Sequence, residues 1–227
     1  MVHPKEVVCR TATPDDAENL LAFMEEFLCA SSVVCRAFGF DNTDSVSLYG
    51  PALVASLPDN YSAMAVDEST GEILGYGIAS LWYRDPSRNR PYENPKLTEK
   101  AELLSRFKKQ LRVKFWDLSP PDITCVLKGE GTCIRPDCRR MGIAQSMLDI
   151  PMRDPEIAGA VSVTSNYGSQ RLTAKMGYVT LAEMDYASYF AENGLKFEGA
   201  FDDNTTKALL EFKPLNSRWI SSHFSKI

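Results

Sequence analysis

The order of the hydrophobic patterns along the chain restricts its fold more than any other feature. Two apolar strand-like runs flank the turn at residues 69–71, which is typical of a β-hairpin. After residue 120, strand-like and helical patterns alternate instead, which is typical of a βαβ unit. Together they predict an α/β fold of the α+β type, with a mixed, mostly antiparallel sheet of about seven strands flanked by helices.

The boundaries of the individual elements follow from periodicity and from capping residues. The first helix begins with Thr13 as N-cap and Pro14 at its first position. Pro151 ends the predicted fourth helix, and Gly177 ends the fifth. Strands are predicted at residues 6–12, 61–68, 72–83, 123–135, 158–165, 178–189 and 206–215, and helices at 13–28, 45–57, 97–115, 140–150 and 169–177.

The size of the chain predicts a single domain. With 227 residues, 44% of them apolar, it can bury a sizeable core, and we interpret residues 1–227 as one domain with its core at about 6–214. No apolar stretch approaches the ~18 residues of a membrane span, and the N-terminus lacks the apolar segment of a signal peptide. We therefore expect a soluble, cytoplasmic monomer without a membrane partner.

Charge and residue types exclude several kinds of chemistry. A net charge of -5 argues against nucleic acid as a partner, because such binding needs a field of uncompensated Lys and Arg. The only histidines, His3 and His223, lie near the two ends of the chain, so a metal site and a Ser-His-Asp or Cys-His catalyst are not expected. The six cysteines form no CxxC pair and lie mostly in apolar runs, which indicates reduced, buried thiols.

The segment CIRPDCRRMGIAQSML, residues 133–148, leads from a strand into a helix. Free N–H groups at a helix start can hold an anion, and Gly142 allows a ligand to approach the backbone closely. Arg139 and Arg140 add positive charge where the helix dipole disfavours it, unless an anion is bound. An ordinary surface turn is the alternative interpretation. The G-x-G-x-x-G pattern of dinucleotide sites and the P-loop pattern are both missing.

RRMGIA resembles the R/Q-x-x-G-x-G/A pattern of the GNAT superfamily, the acetyl-CoA-dependent N-acetyltransferases, with Arg139, Gly142 and Ala144 in the patterned places. SVTSNYGSQRLTAKMGYV, residues 162–179, is similar to a second signature of that family. The order of elements also resembles the family over about residues 6–214. The resemblance implies the GNAT fold, with a sheet splayed at the acetyl-CoA site.

The resemblance also implies acetyl-CoA as co-substrate, without a metal. Its pyrophosphate would rest on the amides at the start of the helix, and its pantetheine arm would pair with the strand before that helix. The residues that would bind it are Cys133, Ile134, Arg135, Arg139, Arg140, Met141, Gly142, Ile143, Ala144 and Ser169.

Within the superfamily, the chain most resembles the insect-type arylalkylamine N-acetyltransferases. EEFLC, residues 25–29, takes the place of their D-E-P-L-N, which puts Glu26 at the position of a glutamate that acts through water as general base. On an ideal helix Glu26 points away from the apolar face, so Glu25 is the fallback. Ser165 and Ser169 would lie near the thioester, where a hydroxyl can protonate the departing thiolate, and Tyr167 is an alternative donor.

The resemblance predicts direct acetyl transfer to a small amine without an acyl-enzyme. The expected acceptor is an arylalkylamine such as dopamine, serotonin, tyramine or octopamine. Polyamines are a second acceptor class and protein N-termini a third. A chain that binds acyl-CoA without catalysis is the alternative from another class, favoured by the departures in EEFLC. Candidate walls for an aromatic acceptor are Phe23, Phe27, Phe38, Phe40 and Tyr49.

Overall fold

The computed structural model describes residues 6–91, 97–149 and 156–215. Their strands form one seven-stranded sheet. The strands are β1 (Val7–Thr11), β2 (Ala63–Asp67), β3 (Ile73–Tyr83), β4 (Cys125–Ile134), β5 (Gly159–Thr164), β6 (Val179–Asp185) and β7 (Lys207–Pro214). The α-helices are α1 (Ala17–Ser31), α2 (Val33–Ala37), α3 (Asn42–Ser56), α4 (Glu99–Arg112), α5 (Lys114–Leu118), α6 (Ile143–Leu148), α7 (Tyr167–Lys175) and α8 (Tyr186–Glu192).

The sheet has the strand order β1-β2-β3-β4-β5-β7-β6, and every neighbouring pair except β4–β5 is antiparallel. The parallel pair is joined through α6, so the chain contains the predicted βαβ unit. This arrangement confirms the mixed, mostly antiparallel sheet. Six free cysteines, four of them buried, agree with the predicted reduced thiols.

The sheet divides between β4 and β5. Only two residue pairs join these strands, Leu127 with Ala160 and Lys128 with Val161. β4 continues to Ile134 and β5 to Thr164, so the two strands separate beyond their short contact. The predicted splay of the sheet is therefore present, and it opens a cleft between the carboxyl-terminal halves of the two strands.

The core lies against the face of the sheet that carries α1, α3 and α4. Residues 97–115, predicted as a helix from the spacing of their apolar residues, are largely helical, and five of these apolar residues are fully buried. The helix is nevertheless shorter than predicted, since α4 ends at Arg112 and a separate short helix, α5, follows. The five buried members are Ala101, Leu104, Phe107, Leu111 and Phe115.

Several other predicted boundaries were wrong: α1 continues to Ser31 rather than ending at residue 28, and α3 begins at Asn42 rather than Ser45. Two further differences have a clear local cause. The strand predicted at residues 178–189 ends at Asp185, whose carboxylate accepts a 2.8 Å hydrogen bond from the Ser188 N–H and starts α8. The helix predicted to begin at Arg140 begins at Ile143, because Arg140 and Gly142 both have positive φ angles, 66° and 82°. Its predicted end at Ile150 and Pro151 lies outside the described residues.

The first helix starts where the sequence predicted it, with Thr13 as N-cap and Pro14 at the first helical position. Thr13 and Asp16 form a capping box, and a single turn of 3-10 helix, Pro14–Asp16, precedes α1. Asp16 also accepts two hydrogen bonds from the Arg10 guanidinium, at 2.6 and 2.8 Å. These bonds hold the pKa of Asp16 well below its usual range and attach β1 to the helix that follows it.

Asp16→Ala is expected to lower the free energy of unfolding by about 1–2 kcal/mol, because it removes the cap and leaves Arg10 without its carboxylate. A group whose pKa is lowered by folding stabilises the protein above its unfolded pKa of about 4 and loses that effect as the pH falls. The difference between variant and parent should therefore shrink in acid. Urea unfolding at pH 7 and pH 3 measures both values, and the exposed Asp15→Ala is the matched control.

Candidate active site

The cleft between β4 and β5 is the candidate active site. It has a volume of about 770 Å³ and is lined by residues from β3, β4, β5, α1, α3, α4, α6 and α7. Its size suits an extended small-molecule ligand. Two ends can be distinguished by their chemistry: an arginine- and glycine-containing turn before α6, and a group of polar side chains from α3, α4 and β4.

The turn before α6 presents backbone groups to the cleft. The first N–H groups of α6 have no partner within the helix, as at any helix start. A Cβ added at Gly142 would meet no atom within 4 Å, so open space lies in front of this backbone. Arg140 has a φ of 66°, which is strained for a residue with a side chain. Strain of this kind is typical of binding sites and supports the interpretation as an anion site.

Contacts with α1 fix the outer part of the cleft. The Arg139 guanidinium donates a hydrogen bond to the carbonyl oxygen of Ser31, at the end of α1. The Ser31 hydroxyl donates to the carbonyl oxygen of Ile134 at 3.1 Å, at the end of β4. Met24, Leu28 and Ser31 therefore line the cleft from α1.

The turn between β5 and α7 supplies hydroxyl groups to the cleft. Ser165, Tyr167 and Ser169 all line it. The Ser169 N–H donates to the N-cap side chain of Asn166 at 2.9 Å, and its hydroxyl donates to the Asn166 carbonyl oxygen at 2.9 Å. The carbonyl oxygen of Ser165 accepts a 3.1 Å hydrogen bond from the buried Tyr186 hydroxyl. This turn is thus held firmly, with two serines facing the cleft.

The structure brings together most of the site residues predicted from the sequence. Those that line the cleft are Cys133, Ile134, Arg139, Arg140, Gly142, Ile143, Ala144, Ser165 and Ser169. Arg135 and Met141 are not among the lining residues. Arg135 instead forms ion pairs with Asp137 and Glu72, at 2.7 and 3.1 Å, and the Met141 side chain is exposed.

Glu26 is exposed on α1 and is not among the lining residues, and its neighbour Glu25 is exposed as well. The reason is helical geometry: Glu26 follows Met24 by two positions, which turns it by roughly 200° away from the cleft. Its role as general base stays a prediction. Of the five aromatic residues predicted as acceptor walls, only Tyr49 lines the cleft, because the four phenylalanines pack in or against the hydrophobic core.

A polar group at the inner end of the cleft was missed by sequence reasoning. We call it the inner cluster; it consists of Tyr49, Lys108, Arg112 and Glu130. The Lys108 ammonium donates a 2.7 Å hydrogen bond to the Tyr49 hydroxyl and lies 4.5 Å from the centre of the Tyr49 ring. Arg112 Nη1 lies 3.4 Å from Glu130 Oε2.

A β-bulge places Glu130 in this cluster. In the pairing of β3 with β4, Ile78 faces Gly131 and Ala79 faces Gly129, so Glu130 is the extra residue of β4. Its Oε1 accepts a 2.9 Å hydrogen bond from the Ser80 hydroxyl and lies 2.5 Å from Lys128 Nζ. Burial alone would raise the pKa of Glu130, but Arg112 and Lys128 hold it below its usual value. Glu130 is therefore an anion at neutral pH.

Two sequence signals could have indicated the inner cluster. Lys108 follows Leu104 by four positions, which places it beside the apolar face of α4 rather than on the opposite side. The G-E-G at residues 129–131 puts glycines inside a strand pattern, which is typical of a bulge. Neither signal predicts that the two side chains meet.

The buried thiols of the cleft are poor nucleophiles. Burial raises the pKa of Cys133 to about 12, so the reactive thiolate is scarce at neutral pH. Burial also raises the pKa of Cys35, which lies near the inner cluster.

Among the described residues, no group of three or more His, Cys, Asp or Glu side chains could hold a metal ion. No helix in the described part is long and apolar enough to cross a membrane.

The fold of the chain is similar to that of solved amine acetyltransferases. A putative arylalkylamine N-acetyltransferase 7 from the yellow fever mosquito Aedes aegypti matches with a TM-score of 0.76 at 16% identity, covering 92% of this chain and 88% of that one. Arylalkylamine N-acetyltransferase 2 from Aedes aegypti matches with a TM-score of 0.73 at 15% identity, covering 93% and 100%. A Drosophila melanogaster polyamine N-acetyltransferase that forms N-acetylagmatine matches with a TM-score of 0.60 at 14% identity, covering 91% and 98%.

These matches establish that the chain has the GNAT acetyltransferase fold, as predicted from RRMGIA and the order of elements. No family model matches the sequence, and no curated protein matches it. The chain therefore resembles these solved structures in its backbone fold, whereas its sequence is only 14–16% identical to theirs.

Burial, together with the neighbouring Arg112 cation, lowers the pKa of Lys108 to about 8, against the opposing effects of Cys35 and Glu130. We therefore expect Lys108 to titrate near pH 8, well below an ordinary lysine. NMR titration of protein carrying ¹³C-dimethylated lysines measures this, with Lys108→Met to assign the signal. A Lys108 signal that titrates near pH 10.5 would contradict the burial seen in the structure.

Proposed function

We propose that the chain is an acetyl-CoA-dependent N-acyltransferase that transfers an acetyl group directly to a small primary amine. The separation of β4 from β5 is the observation that carries the proposal, since it opens one continuous cleft from the α6 turn to the inner cluster. One end of this cleft suits the phosphates of the acyl donor, and the other is enclosed enough to hold an acceptor.

The donor would lie along the outer part of the cleft. Its pyrophosphate would meet the free N–H groups at the start of α6, together with Arg139 and Arg140. Gly142 leaves open space for that approach. The pantetheine arm would hydrogen-bond to the edge of β4 beyond Lys128, where β5 no longer pairs with it. This arrangement would place the thioester near Gly131.

The chemistry follows from the groups available there. The amine nitrogen attacks the thioester carbonyl carbon, the C–S bond breaks, and an amide and the free thiol of CoA form. A backbone N–H of β4 would stabilise the oxyanion. The Ser165 or Ser169 hydroxyl would protonate the departing thiolate and recover a proton, through water, from the nitrogen that has attacked. A cysteine nucleophile is not needed, and the raised pKa of Cys133 disfavours one.

The ammonium of the acceptor must lose one proton, to Glu26 through water or to water alone, before its nitrogen can attack the thioester carbonyl. The resemblance predicts that Glu26 takes this proton through water, whereas Glu130 is a carboxylate that itself lines the cleft, in the inner cluster. Because Glu130 stays ionised, we assign to it the attraction of the acceptor's ammonium group towards the thioester. Its Oε2 has one contact with Arg112, at 3.4 Å, and can accept a further hydrogen bond.

The acceptor class follows from the resemblance and the neighbours. The mosquito neighbours are named arylalkylamine N-acetyltransferases, which supports dopamine, serotonin, tyramine or octopamine as acceptors. The Drosophila neighbour acts on a polyamine, the second acceptor class. Lys108 and Arg112 in the cleft disfavour a polyamine, because its several cations would be repelled.

The decisive experiment incubates the purified protein with acetyl-CoA and a panel of amines while a thiol reagent follows the release of CoA. Release that depends on an amine supports the transferase. Tight acetyl-CoA binding without turnover of any amine would instead identify a non-catalytic acyl-CoA-binding protein.

Gly142→Glu is expected to weaken acetyl-CoA binding at least 100-fold, because the new side chain fills the space before the backbone and repels the phosphates. Gly194→Glu is the matched control: Gly194 also has a positive φ, 69°, and open space around it, but does not line the cleft. Isothermal titration calorimetry measures both affinities. Equal losses in the two variants would show that backbone strain, not the cleft, causes the effect.

Glu130→Gln is expected to lower kcat/KM about tenfold or more, because the acceptor's ammonium loses the carboxylate that attracts it. Glu26→Gln tests the base that the resemblance predicts: because Glu26 is exposed and lies outside the cleft lining, we expect water to take the proton without it, and kcat/KM to change less than twofold. Steady-state kinetics of both variants between pH 6 and 9 test these values, and melting temperatures show whether Glu130→Gln remains folded. A large loss in Glu26→Gln alone would assign the base to Glu26.

A further inference from the structure

Lys108 is a cation at the inner end of the cleft for which the proposed reaction has no use. Among the described residues, only Tyr49 accepts a hydrogen bond from its ammonium group, and no carboxylate lies within 4 Å of it. An ammonium group can donate three hydrogen bonds, so Lys108 keeps donors for a ligand. A charge removed from water is costly unless it is paired.

The surroundings of Lys108 increase this imbalance. Arg112 and Lys128 both pair with Glu130, at 3.4 and 2.5 Å. Three cations therefore share a single carboxylate at this end of the cleft. Asp203 also lines the cleft, but it caps the α7 turn, where it accepts hydrogen bonds from the Tyr167 N–H and from Thr205. An anion from outside the chain would balance the charge of the inner cluster.

The inner cluster lies close to the proposed reaction centre. A Cβ added at Gly131 would lie 3.9 Å from Tyr49 Cδ1, so the Tyr49 ring packs against the splayed part of β4. Lys108 is bonded to the hydroxyl of the same ring. A group held by Lys108 is therefore near the place where the thioester would meet the amine, whereas the phosphates of the donor would lie at the α6 turn.

We propose that Lys108, with Arg112 beside it, binds a carboxylate of the acceptor, so that the preferred acceptor is an amino acid or a similar amine that carries an anionic group. This inference rests on the proposed transferase activity. The ammonium of such an acceptor suits Glu130 and its carboxylate suits Lys108, so both charges of a zwitterion meet their opposites. In the reaction the amine nitrogen bonds to the acetyl carbon, CoA leaves as the thiol, one proton passes to water, and the carboxylate is unchanged.

Pairs of acceptors that differ by one carboxylate test the proposal. The pairs are tyramine and tyrosine, tryptamine and tryptophan, and agmatine and arginine, each assayed with acetyl-CoA for kcat/KM. We expect at least a tenfold preference for the carboxylated member, about the effect of one charge-assisted hydrogen bond. A preference for the amines without carboxylate in all three pairs would overturn the proposal.

A second experiment replaces acetyl-CoA with succinyl-CoA, since a carboxylate could also come from the acyl chain. A preference for succinyl-CoA together with bare amines would assign Lys108 to the donor and overturn the acceptor assignment.

Variants of Lys108 separate recognition from folding. Lys108→Met should raise KM for tyrosine and tryptophan about tenfold or more, whereas KM for tyramine and tryptamine should not rise. Lys108→Arg should restore part of the preference, since it keeps the charge. Lys109→Met removes the next lysine of α4, whose side chain is exposed, and should leave the preference unchanged. Equal losses for both members of a pair in Lys108→Met would show a structural role and contradict the proposal.

The affinity of the protein for the acetylated products can be measured without any turnover. Calorimetry with CoA present compares N-acetyltyrosine with N-acetyltyramine, in the parent and in Lys108→Met. Tighter binding of N-acetyltyrosine that is lost in Lys108→Met supports the carboxylate site even if no acceptor is turned over, and in that case the proposed activity alone fails. Equal binding of the two products by the parent overturns the carboxylate site, whatever the activity.

Discussion

The short parallel contact between β4 and β5 is the constraint on which the cleft depends. A parallel neighbour needs a crossover, and here α6 with its preceding turn supplies it. Because only two residue pairs join the strands, the backbone of β4 beyond Lys128 keeps hydrogen-bonding groups for another partner. The other five neighbouring strand pairs each share at least four residue pairs, so the opening is a local feature of a continuous sheet.

The elements around this opening hold it in place from both sides. Arg139 and Ser31 connect the α6 turn, α1 and the end of β4 by hydrogen bonds. On the other side, Asn166 caps α7, and Tyr186 fixes the carbonyl of Ser165. Hydrogen bonds therefore position both walls, and a ligand that enters the cleft meets donors and acceptors already in place, which lowers the entropy cost of binding.

The charges in the cleft differ from what the composition suggests. The chain carries a net charge of -5, yet the inner cluster and Lys128 bring three cations and one carboxylate together. Average charge describes the whole surface, whereas recognition depends on the few groups that lose contact with water. An acidic protein can thus contain a positively charged binding site.

Most of the architecture could be predicted from the sequence, because capping residues and periodicity are local properties. Thr13, Pro14 and Gly177 marked helix ends correctly, and RRMGIA indicated the turn that faces the cleft. Local patterns failed where the backbone itself is irregular. Arg140 has a positive φ, so α6 begins at Ile143 and not at Arg140. Asp185 caps a helix, so the last residues of the predicted strand form α8 instead.

The sequence by itself determined the elements, their order, the mostly antiparallel sheet with one crossover, and the residues of the α6 turn. Only the tertiary structure decided which side chains meet. Glu26 is turned away from the cleft by its place on α1, whereas a one-residue bulge turns Glu130 towards it. Lys108 lies 22 residues before Glu130, on a helix that packs against α3 and against strands β5, β6 and β7, and no local pattern encodes that packing. Strand register and helix packing determine which of these side chains meet. Both depend on the whole core rather than on neighbouring residues in the chain.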